Sequence, residues 1–133
     1  MPRTAAIIML LLLALKPVAP AFAQSDQADQ SQLWNGKWIA EGSLFQIAVE
    51  VEDNQMRLTQ LESLGFEWSS EPGKVAGDTV QLPIAYAGVT GVIQAELVDA
   101  NTAIAFAASC LPEFMLVCAF SRDRRAVFRK LAD

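Results

Sequence analysis

The sequence predicts an all-β domain: a small antiparallel meander closed into a barrel of about eight strands. Three observations carry that expectation. Apolar residues recur at every second position after residue 33, two hairpin turns bring apolar faces together in register, and no segment shows a sustained helical face. An open β-sandwich with the same strand count is the alternative.

The first strand is expected over Gly36–Ala40. Next, Phe45, Ile47, Val49 and Val51 alternate with Gln46, Ala48, Glu50 and Glu52. A two-residue turn at Asp53-Asn54 then sets Val51 opposite Met56 and Val49 opposite Leu58 on the apolar side. The same turn sets Glu50 opposite Arg57 on the wet side. A slip of one residue inverts every face, so the agreement fixes the register. Phe66–Ser69 is a weaker strand, followed by turn chemistry at Glu71-Pro72-Gly73-Lys74 and Ala76-Gly77-Asp78. Thr79–Tyr86 turns Val80, Leu82, Ile84 and Tyr86 inward, and Pro83 within it suits an edge or a bulge. Val89–Val98 leads to a second two-residue turn at Ala100-Asn101, which sets Leu97 opposite Ile104 and Ala95 opposite Phe106. Strands at Phe114–Ser121 and Ala126–Leu131 complete the count.

Cys110 and Cys118 are the two cysteines of the chain. Alternation puts Cys110 on the face of Ile104 and Phe106, and Cys118 on the face of Phe114, Leu116 and Phe120. A hairpin centred on Phe114 opposes the two sulfurs on the buried side, so a structural disulfide hairpin is expected. A redox or metal role lacks the Cys-x-x-Cys spacing and any histidine.

The domain boundaries follow from composition. Residues 1–23 run Met1-Pro2-Arg3-Thr4, eleven apolar residues from Ala5 to Leu15, then Lys16 to Ala23 with an Ala-x-Ala site at Ala21-Phe22-Ala23. That is the three-part pattern of a secretory signal, cleaved after Ala23, and it is shorter than the ~20 residues a membrane span needs. Residues 24–32 are polar and unpatterned, expected as a disordered tail, and 33–133 form one domain. A periplasmic or secreted location follows. Without the leader, eight cations face fifteen acids, a formal charge of −7. Five cations (Arg122, Arg124, Arg125, Arg129, Lys130) stand against two acids from Ser121 onward. Overall acidity opposes nucleic-acid binding, which needs a basic face.

No histidine is present, so Ser-His-Asp, Cys-His and histidine–zinc chemistry are excluded. No glycine-rich phosphate loop appears. A carboxylate-based hydrolase using Glu62, Glu67 or Glu71 stays formally open, although acids at alternate strand positions normally form the solvated face. The reading is a non-enzyme with no cofactor and no metal. It acts by binding through the rim or loops, with Trp34, Phe66 and Trp68 as contact residues. A protein inhibitor of a hydrolase and a carrier of a small apolar ligand are the alternatives. Partner and oligomeric state are not set by the sequence.

Asn35-Gly36-Lys37-Trp38 resembles the Gly-x-Trp signature of the calycin superfamily, which includes lipocalins and avidin-like proteins. The resemblance implies a barrel, a structural role for Gly36 and Trp38, and a late-strand cation, Arg129, packed over the Trp38 ring. It covers two short patches at the ends of the domain; a Thr-Asp-Tyr type second motif is missing. The inward residues (Phe45, Ile47, Met56, Leu82, Tyr86, Ile93, Phe106, Leu116 and Phe120 among them) are bulky. The interior is therefore expected to be mostly filled, with Gly91, Ala95 and Ala108 as the places for a void.

Overall fold

The computed structural model describes residues 30–132. The expected leader, 1–23, lies outside them, as does most of the expected tail. A turn of helix at 30–32, with Ser31 buried, takes the last three tail residues into the fold. The strands are β1 (Gly36–Ala40), β2 (Gln46–Glu52), β3 (Gln55–Glu62), β4 (Trp68–Ser70), β5 (Gly73–Ala76), β6 (Thr79–Tyr86), β7 (Val89–Asp99), β8 (Thr102–Leu111) and β9 (Arg125–Lys130). A six-residue helix, α1 (Leu116–Ser121), stands between β8 and β9.

All pairings are antiparallel, in the order β1-β2-β3-β5-β6-β7-β8-β9 and back to β1. That is an eight-stranded closed barrel with one extra strand, which removes the free edges an open sheet would expose. β4 and β5 lie on the same side of β6, as one strand interrupted at Glu71-Pro72. Pro83 sits opposite that break. Its carbonyl takes the Glu71 N–H at 3.2 Å, and its missing N–H faces the same interrupted side. The barrel wall is thinnest between β3 and β4. β3 pairs with β5 only at Gln55↔Lys74 and Met56↔Gly73; beyond them, the Gln60 side chain donates to the Trp68 carbonyl at 2.6 Å.

The first hairpin forms in the expected register, with Val51↔Met56, Val49↔Leu58 and Glu50↔Arg57. Asp53 and Asn54 both take positive φ (52° and 60°), the primed-turn geometry that matches strand twist. The second hairpin departs from expectation. Asp99 pairs with Thr102, but Val98 bulges out, so Leu97 meets Ala103 and Ala95 meets Ala105 rather than Ile104 and Phe106. A second irregularity at Ala108 restores the original count, and Val92 meets Ser109. Between the two bulges the faces of β8 are exchanged. Ala103, Ala105 and Ala107 point inward, and Ile104 stands outside opposite Glu96 and Val127.

The expected strand at Phe114–Ser121 is α1 instead. Pro112 cannot extend the ladder, Met115 N–H bonds back to the Pro112 carbonyl, and the uninterrupted apolar run that follows suits a helix as well as a strand. The Cys110–Cys118 disulfide is present with Cα atoms 5.5 Å apart, but it ties β8 to a helix rather than crossing a hairpin. Phe114, Leu116 and Phe120, expected inside, are exposed at 87%, 70% and 58%.

The turns at 53–54, 77–78 and 100–101 gather at one end of the barrel, and the loops at 41–45, 63–67, 87–88 and 112–124 at the other. The buried core belongs to the first end: Trp34, Trp38, Val51, Met56, Val75 and Val80.

Candidate ligand-binding cavity

The floor is built by the residues around the Gly-x-Trp motif. Trp38 is 2% exposed and its Nε1 donates to the Trp34 carbonyl at 2.8 Å; Trp34 is 3% exposed and its Nε1 donates to the Gly77 carbonyl at 3.1 Å. The two rings lie 6.2 Å apart. Gly36 has φ +134°, a region L side chains rarely adopt, and a Cβ there would sit 3.6 Å from the Lys130 methylenes. The Lys130 chain crosses this spot so that its Nζ donates to the Leu33 carbonyl while lying 5.1 Å from the Trp38 ring centroid. Lys130 is the cross-strand partner of Trp38, whereas Arg129 pairs with Ile39. The cation over Trp38 is therefore Lys130, not Arg129 as expected. Neighbouring strand residues face opposite ways, and Arg129 turns outward to Thr102 Oγ1 (3.0 Å) and Glu41 (3.8 Å).

Above this floor the barrel is hollow. The cavity holds about 630 Å³, within the roughly 300–1,000 Å³ of small-molecule sites. The expected filled interior is corrected, and the exchanged faces of β8 explain why. Ala95, Ala105 and Ala126 are direct neighbours across β7, β8 and β9, and all three line the cavity. Leu116 and Phe120, counted as filling, lie on α1 outside the cavity, while Phe106 lines it.

The opposite wall carries Ile47, Leu58, Leu82 and Ile84, and the mouth is aromatic. Phe45 lies 5.9 Å from Trp68 and 6.4 Å from Phe128, and Phe66 meets Tyr86 edge-on at 5.7 Å. Trp68 is half-buried, its Nε1 donating to Ser63 Oγ at 3.1 Å. Phe66 is 51% exposed and Arg124 is exposed, and both line the same space, so the cavity reaches solvent at this end. Ser121, Arg124 and Arg125, with the hydroxyl-bearing Tyr86, bring polar atoms to the lining of this mouth.

Of the three expected contact residues, Phe66 and Trp68 stand at the rim and Trp34 lies at the floor; all three line the one cavity. The sequence places Phe45 and Tyr86 inward as filling rather than as site residues, sets Ala95 alone of the alanine row beside a void, and leaves Ala105, Ala126 and Arg124 unassigned to the site. The alanine row was legible only as Ala103-Ile104-Ala105-Phe106-Ala107, an alternation that fits either face. Glu62, Glu67 and Glu71 are exposed and do not line the cavity; Glu62 Oε1 accepts the Leu64 N–H at 2.9 Å.

Every tryptophan N–H at the site already has a protein acceptor, and among the described residues no buried side-chain nitrogen or oxygen lacks a partner. The walls thus offer shape and apolar surface rather than hydrogen bonds, and the charges wait at the mouth. No family model, no curated protein and no solved structure matches the chain.

Proposed function

We propose that the protein is an exported, non-enzymatic binder of a small elongated apolar molecule, held in the barrel with any anionic head at Arg124 and Arg125. The observation that supports this reading is a hollow of about 630 Å³ with apolar walls, open at an aromatic mouth that carries cations. Burial of an alkyl chain there is favoured by about 0.8 kcal/mol for each methylene removed from water. Export agrees with the disulfide, which persists in oxidising compartments, and with the leader-like residues 1–23.

The test is a series of straight-chain carboxylates and alcohols of increasing length, titrated while tryptophan emission is followed. All three tryptophans of the chain line the cavity, so intrinsic emission reports its occupation. Affinity should rise about fifteenfold for every two methylenes until the chain outgrows the cavity. Carboxylates should bind more tightly than alcohols of equal length. An emission change that is absent, or independent of chain length, defeats the proposal.

A second reading, recognition of a protein at the rim, is favoured by Phe66, a large aromatic 51% exposed beside Trp68. Phe66→Ala should weaken that recognition by tenfold or more, since exposed aromatics anchor interfaces. The same change should alter alkyl-chain affinity by only a few-fold.

A further inference from the structure

We infer that the outer face of α1 and its flanking loops docks on the surface of an anionic phospholipid bilayer. Leu111, Phe114, Leu116 and Phe120 expose 58%, 87%, 70% and 58% of their surface within one short segment. Leu116 and Phe120 are four residues apart and share a face of α1, while Cys118 turns into the protein. The disulfide holds this segment against the end of β8, so the apolar side chains are presented by a fixed platform.

Charge selects the occupant. Arg122, Arg124 and Arg125 are exposed immediately after α1, and the Arg124 guanidinium lies 5.9 Å from the Phe120 ring centroid. Glu113 and Asp123 are the acids in the same segment, which leaves it net positive. From residue 24 to 120 the chain carries three cations against thirteen acids. The exposed apolar cluster thus coincides with the basic part of an acidic protein. Apolar side chains entering the acyl boundary beside guanidinium groups at phosphate depth is the pattern of an interfacial anchor. A second copy of the chain would bring the same cations face to face, and an apolar protein surface would leave them without partners.

The inference uses the outer face of α1 and Arg122, which lie outside the cavity lining, and shares Arg124 and Arg125 with the cavity mouth. It is tested on the full chain by sedimentation with vesicles of phosphatidylcholine, with and without phosphatidylglycerol. All variants keep residues 1–29, so any contribution of that segment is common to them. Binding to the anionic vesicles should exceed binding to the neutral ones and fall with added salt. Phe114→Ser, Leu116→Ser and Phe120→Ser should each weaken it about tenfold. Arg122→Gln, Arg124→Gln and Arg125→Gln should each weaken it about fivefold, and of the three only Arg124 lies against an α1 ring, that of the exposed Phe120. Equal binding to both vesicle types overturns the inference. So does anionic binding that neither set of variants reduces, or self-association through Phe114 without vesicle binding. Phe114, Leu116, Phe120 and Arg122 do not line the cavity, so their variants should lose vesicle binding and keep alkyl-chain binding, which separates this failure from failure of the cavity proposal.

Discussion

Replacing Ala105 with leucine tests the hollow interior by the sign of a free-energy change. Ala105 sits in the middle of the small-residue row, with Ala95 on one side and Ala126 on the other, and its side chain faces the cavity. Leucine adds three carbons to that space. Their removal from water contributes about 2 kcal/mol, and fixing the leucine rotamer costs about 0.5–1 kcal/mol. Ala105→Leu should therefore stabilise the fold by about 1–1.5 kcal/mol, with Tm rising by about 4–8 °C per kcal/mol for a domain of this size. In a filled interior the same change forces overpacking and destabilises by about 1–3 kcal/mol. Equilibrium urea unfolding with the disulfide intact separates the two cases, provided the denaturant slope is unchanged. Destabilisation, or an unchanged midpoint with alkyl-chain binding intact, refutes the reasoning that the exchanged β8 face creates usable space.

Three further outcomes are expected. Removing the disulfide with Cys110→Ser and Cys118→Ser together should cost roughly 2–3 kcal/mol in urea unfolding, the chain-entropy value for a loop this short. Lys130→Met should cost more than Arg129→Met in the same assay: about 1 kcal/mol from the ring contact alone, against less than about 1 kcal/mol for the exposed Arg129–Glu41 pair. Asp99 is held below the ordinary carboxylate value of 3.8 by the Asn101 N–H, then by Thr102, with Arg129 adding a smaller pull. Its contribution is therefore complete above that value and is lost as pH falls through the folded pKa. Asp99→Asn should lower Tm slightly in the neutral range, where that contribution is complete, and flatten the decline of Tm below about pH 4.

The sites where sequence and structure part company share a cause. Val98 and Ala108 are single extra residues in otherwise regular strands, and alternation carries no mark of where a ladder slips by one. Both faces of β8 are apolar, with alanines on one and Ile104 and Phe106 on the other, so neither assignment violates hydrophobic patterning. The Phe114–Phe120 run is ambiguous in the same way, since unbroken apolarity satisfies a helix and a strand equally. Arg129 and Lys130 differ by one position, and only the pairing of Trp38 with Lys130 decides which cation lies over the ring.

Local chemistry alone determined the all-β class, the Asp53-Asn54 turn with its register, and the pairing of the two cysteines. Each follows from interactions between residues close in sequence, or from a count with one solution. Tertiary structure alone decided that the barrel is hollow, that Trp34 is its floor rather than its rim, and that α1 turns Phe114, Leu116 and Phe120 outward. Those outcomes depend on which strand faces which across the barrel. A one-residue slip there exchanges an entire wall of side chains without changing a single local preference.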